Sequence, residues 1–234
     1  MTAVVDIRIP KAAEAALATH GFSVVMLPPH PVLPRPVASH PDMLVFFAHD
    51  AIFCTRSYFE IAQKELETIS ARCQKPIRLV SDEVGSVYPR DILLNAAPLG
   101  DKLICHPKHT ARELTALCEV VPVKQGYAKC STVILGSRAI ITEDASIAQA
   151  AEQHGIDVLR IFPNAVHLEG YDTGFLGGAA SLAPYGGTDN IYFCGDLNSH
   201  PNAREIQLFC KQHGFSAVSL SNEPLTDVGT IFLI

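Results

Sequence analysis

The chain has 234 residues, 48% of them hydrophobic and 18% charged, with a formal net charge of -6. That balance excludes a mainly disordered chain, which combines low hydrophobicity with high charge, and the scattered Lys and Arg give no basic nucleic-acid surface. No apolar run reaches the roughly 18 residues of a membrane span, and Asp6 and Arg8 interrupt the first apolar stretch, so a soluble cytoplasmic protein without nucleic-acid or membrane partners is expected.

The first elements in chain order are a strand VVDIRIP (4–10), a helix KAAEAALATH (11–20) and a strand FSVVMLP (22–28). The Pro-rich PPHPVLPRP (28–36) reads as an extended surface connection. MLVFF (43–47) and AIFC (51–54) form a hairpin, followed by one amphipathic helix over 56–73 and a strand PIRLV (76–80). DILLNAAPLG (91–100) and DKLICHP (101–107) form the next hairpin, then a helix over 110–119 and the strand VVPVK (120–124). STVILG (131–136) and AIITED (139–144) form a third, with Asp144 capping the helix 145–154. IYFCGD (191–196) is a strand, and 199–213 a helix with Ser199 as its cap. The loop LAPYGGTDN (182–190) precedes that strand, and VGTIFLI (228–234) ends the chain as a strand.

Three of these helix-to-strand passages resemble one another: ATHGFSVVML (18–27), EQHGIDVLRI (152–161) and KQHGFSAVSL (211–220). Gly21, Gly155 and Gly214 suit the left-handed residue that ends a helix. His20, His154 and His213 fall in the last turn, where a cation suits the dipole. A repeat of this kind has to be settled before a fold is named. The unit is strand, strand, helix, strand, and five copies fit if VGTIFLI supplies the first strand of the first unit. The expectation is one domain over 1–234, an α/β ring whose first strands line an axis and whose preceding loops converge at one end, where a small ligand is commonly held.

Seven cysteines, an odd number with no CxxC pair, exclude a zinc knuckle and a thioredoxin motif. Cys54, Cys73, Cys105, Cys118, Cys194 and Cys210 lie in or beside apolar runs and read as free thiols of a reducing compartment. Cys130, in the polar segment GYAKCS, stands apart, and the neighbouring Lys129 would lower its pKa. Asp42, Asp172 and Asp227 each precede the first strand of a unit and together suggest an acidic pocket; Asn95 lies deeper in its strand. His106 and His109 in HPKH, beside Cys105, read as the first turn of a helix with Thr110 as cap, because no second cluster has metal-ligand spacing. GFLGGAAS (174–181) lacks the Lys-Ser/Thr of a phosphate loop and reads as close packing at the axis. No cofactor or metal is expected.

Arg90-Asp91 in YPRDILLN and His167-Leu168-Glu169 in VHLEGYDTGF, set in this repeat, resemble the pentein fold, the five-bladed α/β-propeller of the guanidine-modifying enzymes. The resemblance implies that Asp91 and Glu169 hold a guanidinium and that His167 moves protons, with Asp172-Thr173-Gly174-Phe175 as a competing match to the histidine motif. It also implies a catalytic cysteine close to the C-terminus. LTDVGTIFLI (225–234) has none, and a hydroxyl such as that of Thr230 would need a strong base. Ordinary arginine deiminase activity is therefore not expected. The expected ligand is a small cation, guanidino or amino-acid in kind, held by Asp42, Arg90, Asp172 and Asp227. If it reacts, by C–N hydrolysis or amidino transfer, Cys130 is the thiol at hand. The alternative is a non-catalytic protein that uses the same scaffold for ligand or protein binding.

Overall fold

The computed structural model describes residues 1–234. The chain runs β1 (Thr2–Asp6), α1 (Lys11–Thr19), β2 (Ser23–Leu27), α2 (Pro41–Leu44), β3 (Phe46–Phe47), β4 (Ile52–Cys54), α3 (Arg56–Ile61), α4 (Gln63–Cys73) and β5 (Ile77–Leu79). It continues through β6 (Ala97–Leu99), β7 (Lys102–Cys105), α5 (Arg112–Thr115), β8 (Glu119–Pro122), β9 (Thr132–Leu135), β10 (Ala139–Thr142), α6 (Ala145–Gln153) and β11 (Asp157–Arg160). The last part holds α7 (Leu176–Ala179), β12 (Ser181–Leu182), β13 (Asn190–Phe193), α8 (Ala203–Gln212), β14 (Ser216–Ser219) and β15 (Ile231–Leu233). The fold is mixed α/β, and no helix is long and apolar enough to cross a membrane.

The strands form five small sheets with one recurring rule. In each unit the strand before the helix pairs in parallel with the strand after it: β1 with β2, β4 with β5, β7 with β8, β10 with β11 and β13 with β14. Four units add an antiparallel first strand: β3 on β4, β6 on β7, β9 on β10 and β15 on β1. The last of these pairs Ala3 with Leu233 and Val4 with Phe232, so the C-terminal strand completes the first unit. In the remaining unit the isolated bridge Ala180–Phe193 joins β13 to the residue just before β12, and β12 itself runs parallel to β15. The helices cover the sheets and bury Leu17, Leu66, Ile69, Leu114, Ile147 and Ile206. Each such side chain contributes about 1.5–3 kcal/mol.

Several elements depart from the sequence reading. MLVFF is not all strand: Pro41 occupies the first position of α2, where its fixed φ favours a helical turn, and β3 keeps only Phe46–Phe47. A run that is buried throughout carries no period to separate helix from strand. Helix 56–73 breaks at Ala62, whose backbone (φ -115, ψ 28) is not helical. The buried stripe Tyr58, Ala62, Leu66, Ile69 passes through the break, so periodicity does not register it. Helix 110–119 shrinks to one turn that starts after Ala111, and Thr110 does not cap it. Ser199 ends a short 3-10 turn, and α8 begins after Asn202. The Asp144 cap is as expected, accepting from the N–H groups of Ser146 and Ile147. His20, His154 and His213 each follow a helix, before Gly21, Gly155 and Gly214 at φ +85, +72 and +84.

Candidate functional site

The segments that lead into the first strands meet around two residues, Lys129 and Cys130. Lys129 is 2% exposed. Its ammonium donates to the carbonyls of Thr132 (3.2 Å) and Gly177 (3.2 Å) and to Thr230 Oγ1 (3.0 Å). Thr230 passes its own proton to Asp42 Oδ2 at 2.8 Å. The Cys130 thiol donates to the same oxygen at 3.2 Å. Asn95 ties the turn down: its Oδ1 accepts from the N–H of Lys129 (2.8 Å) and of Cys130 (3.3 Å), and its amide donates to the Cys130 sulfur at 3.0 Å. Thr230 is held at φ +71, a region β-branched residues rarely occupy, and this aims its hydroxyl between the lysine and the aspartate.

A second chain of charges lies alongside. Arg8 grips Asp6 through Nε (3.1 Å) and Nη2 (2.7 Å), and Ser39 donates to Asp6 at 2.7 Å. The buried His40 stands 3.8 Å from both Asp6 and Asp227. Asp227 accepts from the N–H groups of Phe175 and Gly229, each at 2.9 Å. Gly177 and Gly178 are required by this crowding. A Cβ on Gly177 would lie 2.5 Å from the Cys130 carbonyl, and one on Gly178 would fall on the Asp227 carboxylate. Close packing of GFLGGAAS is thus what the structure shows.

Burial dominates the protonation of this cluster. It pushes Asp227 up, reinforced by Asp42 and opposed by His40 and the two N–H groups. It pushes Lys129 down, with Asp42, Cys130 and Asp227 pulling the other way. Burial and the charges of Asp42 and Asp227 push the Cys130 thiol well up. The Lys129-activated thiolate expected from sequence is therefore corrected: the ammonium turns to Thr230, and the carboxylates dominate at sulfur. Glu143, at the end of β10, carries a pKa of about 8, raised by burial and then by Asp227 and Asp144.

Asp91 lies farther out in the same region. It is 2% exposed. One carboxylate oxygen accepts from Tyr127 Oη at 2.6 Å, and the other has no hydrogen-bond partner. The Tyr127 ring stands between Tyr88 (5.7 Å) and Phe175 (6.2 Å), and burial followed by Asp91 pushes its hydroxyl far up.

Of the residues singled out in sequence, Asp42, Cys130 and Asp227 belong to the buried cluster, and Asp91 lies beside it. Arg90, His167, Glu169 and Asp172 are exposed. His167 joins the site only through its backbone, which bonds Leu225 and Asp227, and no hydrogen bond links its ring to Cys130. The cluster also holds cations of its own: Asp42 meets Lys129 through Thr230 and Asp6 meets Arg8, although the carboxylates Asp6, Asp42 and Asp227 remain the more numerous. Sequence reasoning missed Thr230 as a network member, and with it His40, Tyr127 and Glu143. A cavity of about 540 Å³ lies at the hairpin-turn ends of the first strands, between Phe47, Ile134, Leu182 and the loop holding Gly186 and Gly187. It is remote from the polar cluster.

The fold is that of the guanidine-modifying enzymes. The chain superimposes on a cysteine-to-serine mutant of DDAH from Pseudomonas aeruginosa complexed with citrulline, with a TM-score of 0.59 and 9% identity over 94% of this chain and 92% of that one. A dimethylarginine dimethylaminohydrolase adduct with S-methyl-L-thiocitrulline gives 0.57 at 11% identity, over 90% and 79%. C. jejuni agmatine deiminase gives 0.55 at 7% identity, over 94% and 87%. By sequence, residues 4–232 match a family of unknown function, DUF6873, and the chain belongs to that family. No curated protein matches it.

Proposed function

We propose that residues 1–234 form one domain of five blades around a pseudo-fivefold axis, and that it binds a small guanidino or amino-acid cation where Asp91 stands. The five repeated parallel pairings and the β12–β15 contact support the blades. The observation that carries the ligand is the Asp91 carboxylate, buried with one oxygen unpartnered and the other bonded to Tyr127, whose ring packs against Tyr88 and Phe175. A buried carboxylate without a partner is strongly disfavoured. A planar cation would supply the missing N–H, and the faces of Tyr88 and Phe175 would add about 0.5–2 kcal/mol of cation–π attraction. Seven free thiols fit a reducing compartment such as the cytoplasm.

The Cys130 proton favours binding without turnover. Amidino transfer or C–N hydrolysis needs an activated nucleophile in contact with the carbon. Here the thiol stays protonated, donates to Asp42, and has no histidine hydrogen-bonded to it. Calorimetry with arginine, agmatine and methylated arginines, alongside an assay for ureido products and ammonia, tests both points. Expected are binding by the wild type, loss of at least tenfold in affinity for Asp91→Asn, and no product. Failure of every cation to bind the wild type would overturn the ligand reading. Turnover abolished by Cys130→Ala would overturn the non-catalytic one.

A further inference from the structure

We propose that the inner cluster is a primary-ammonium site occupied by the chain itself: Lys129 is a tethered ligand, and truncating it opens a pocket selective for small alkylammonium ions. An ammonium has three N–H groups in a tetrahedral fan. Lys129 presents all of them to acceptors contributed by three separate segments, at Thr132, Gly177 and Thr230. The third acceptor relays the charge, because the Thr230 hydroxyl in turn donates to Asp42. A lysine that merely filled space would be replaced with advantage by an apolar side chain, since burying a charge is strongly disfavoured. Here the surroundings satisfy the charge completely.

The receptacle does not depend on the side chain that fills it. The Gly177 carbonyl is held by the tight seat of that glycine against Cys130 and Thr132. Asp42 is held by the Cys130 thiol, and its own backbone N–H donates to the Gly229 carbonyl. Asn95 fixes the turn through the N–H groups of Lys129 and Cys130, so any residue at 129 keeps those bonds. Lys129→Ala therefore removes a propylammonium equivalent and leaves its acceptors in place. Selectivity follows from their arrangement. Two carbonyls and a hydroxyl surround one point, which suits a compact ammonium; a guanidinium spreads its donors in a plane and prefers the bidentate edge of a carboxylate. A quaternary ammonium has no N–H to give.

The tethered ion also sets the depth to which a free cation can reach. The Oδ2 of Asp42 is occupied from within by Cys130 and by Thr230, which links it to Lys129, whereas Asp91 has no cation of the chain beside it.

The test is thermal unfolding of wild type, Lys129→Ala and Lys129→Met with n-propylammonium, propylguanidinium or trimethylpropylammonium chloride at matched ionic strength. Lys129→Ala should melt below wild type and recover with n-propylammonium in the millimolar range, at least tenfold more sensitively than with the other two ions. Wild type and Lys129→Met, whose side chains fill the space, should not respond. If Lys129→Ala fails to fold alone, refolding with n-propylammonium should restore it where the other ions do not. A Lys129→Met protein as stable as wild type would overturn the proposal. So would a Lys129→Ala protein indifferent to all three ions or equally responsive to them. Loss of guanidino binding in Asp91→Asn leaves this result untouched, so the two readings can fail separately.

Discussion

Two carboxylates a few residues' packing apart are treated in opposite ways. Asp42 has a thiol and a hydroxyl on one oxygen and, through that hydroxyl, an ammonium. Asp91 has one phenol and an oxygen left over. Both are buried, and both precede a first strand. Each also keeps one buried oxygen without a hydrogen-bond partner. What separates the two is what the chain sets beside them: Asp42 is linked through Thr230 to a buried ammonium, whereas Asp91 meets a phenol and no cation of the chain. The first arrangement ties down a charge of the fold itself, and the second is the one we propose a ligand completes.

The sharpest way to break this contrast is stability. Lys129→Met leaves Asp42 without its cation and should lower stability by about 3–5 kcal/mol. Asp91→Asn keeps an acceptor for Tyr127 and should stay within about 1 kcal/mol of wild type, or exceed it. Chemical denaturation of the two variants gives the comparison directly, and equal losses would end it.

Next comes pH. Glu143 is raised from 4.5 to about 8 in the fold. Between those values the folded state holds a proton that the unfolded state has released. Stability attributable to Glu143 is thus intact below pH 4.5 and declines as pH rises towards 8, by on the order of 5 kcal/mol. Glu143→Gln should flatten that slope and be more stable than wild type at pH 8. A slope that survives the substitution would assign the effect to Asp227, which shifts in the same direction.

A smaller effect separates the thiols. Cys130 and Cys194 are buried, whereas Cys73 and Cys118 are half-buried. Alkylation of the native protein should label Cys73 and Cys118 first and Cys130 orders of magnitude more slowly. Rapid Cys130 labelling would mean that the cluster opens readily. The mildest change is Asp144→Ala, which removes the α6 cap and should cost about 1 kcal/mol, wherever ligands bind.

The repeat was legible because its signals are local: a helix, a histidine-glycine ending, a β-rich run. The same locality picked out Asp42, Asp91, Cys130 and Asp227, which all precede first strands. The direction of Lys129 was not legible, since four rotatable bonds separate its charge from the backbone. Nor was the Tyr127–Asp91 bond, which joins residues 36 apart in sequence. His167 and Glu169 have motif spacing, yet that loop leaves both side chains in solvent. Spacing reports chain order, and it is silent on which way a loop turns.

The bond from Thr230 to Asp42 spans 188 positions of chain. During synthesis, which runs from the N-terminus, Asp42, Asn95 and Lys129 are made long before Thr230 and its neighbour Asp227. Until that last segment docks, Lys129 has lost neither its water nor its freedom, and the units around it have no reason to seal. Docking of the segment around Thr230 is thus the step that dries the centre and fixes Lys129 and Asp42 in one network.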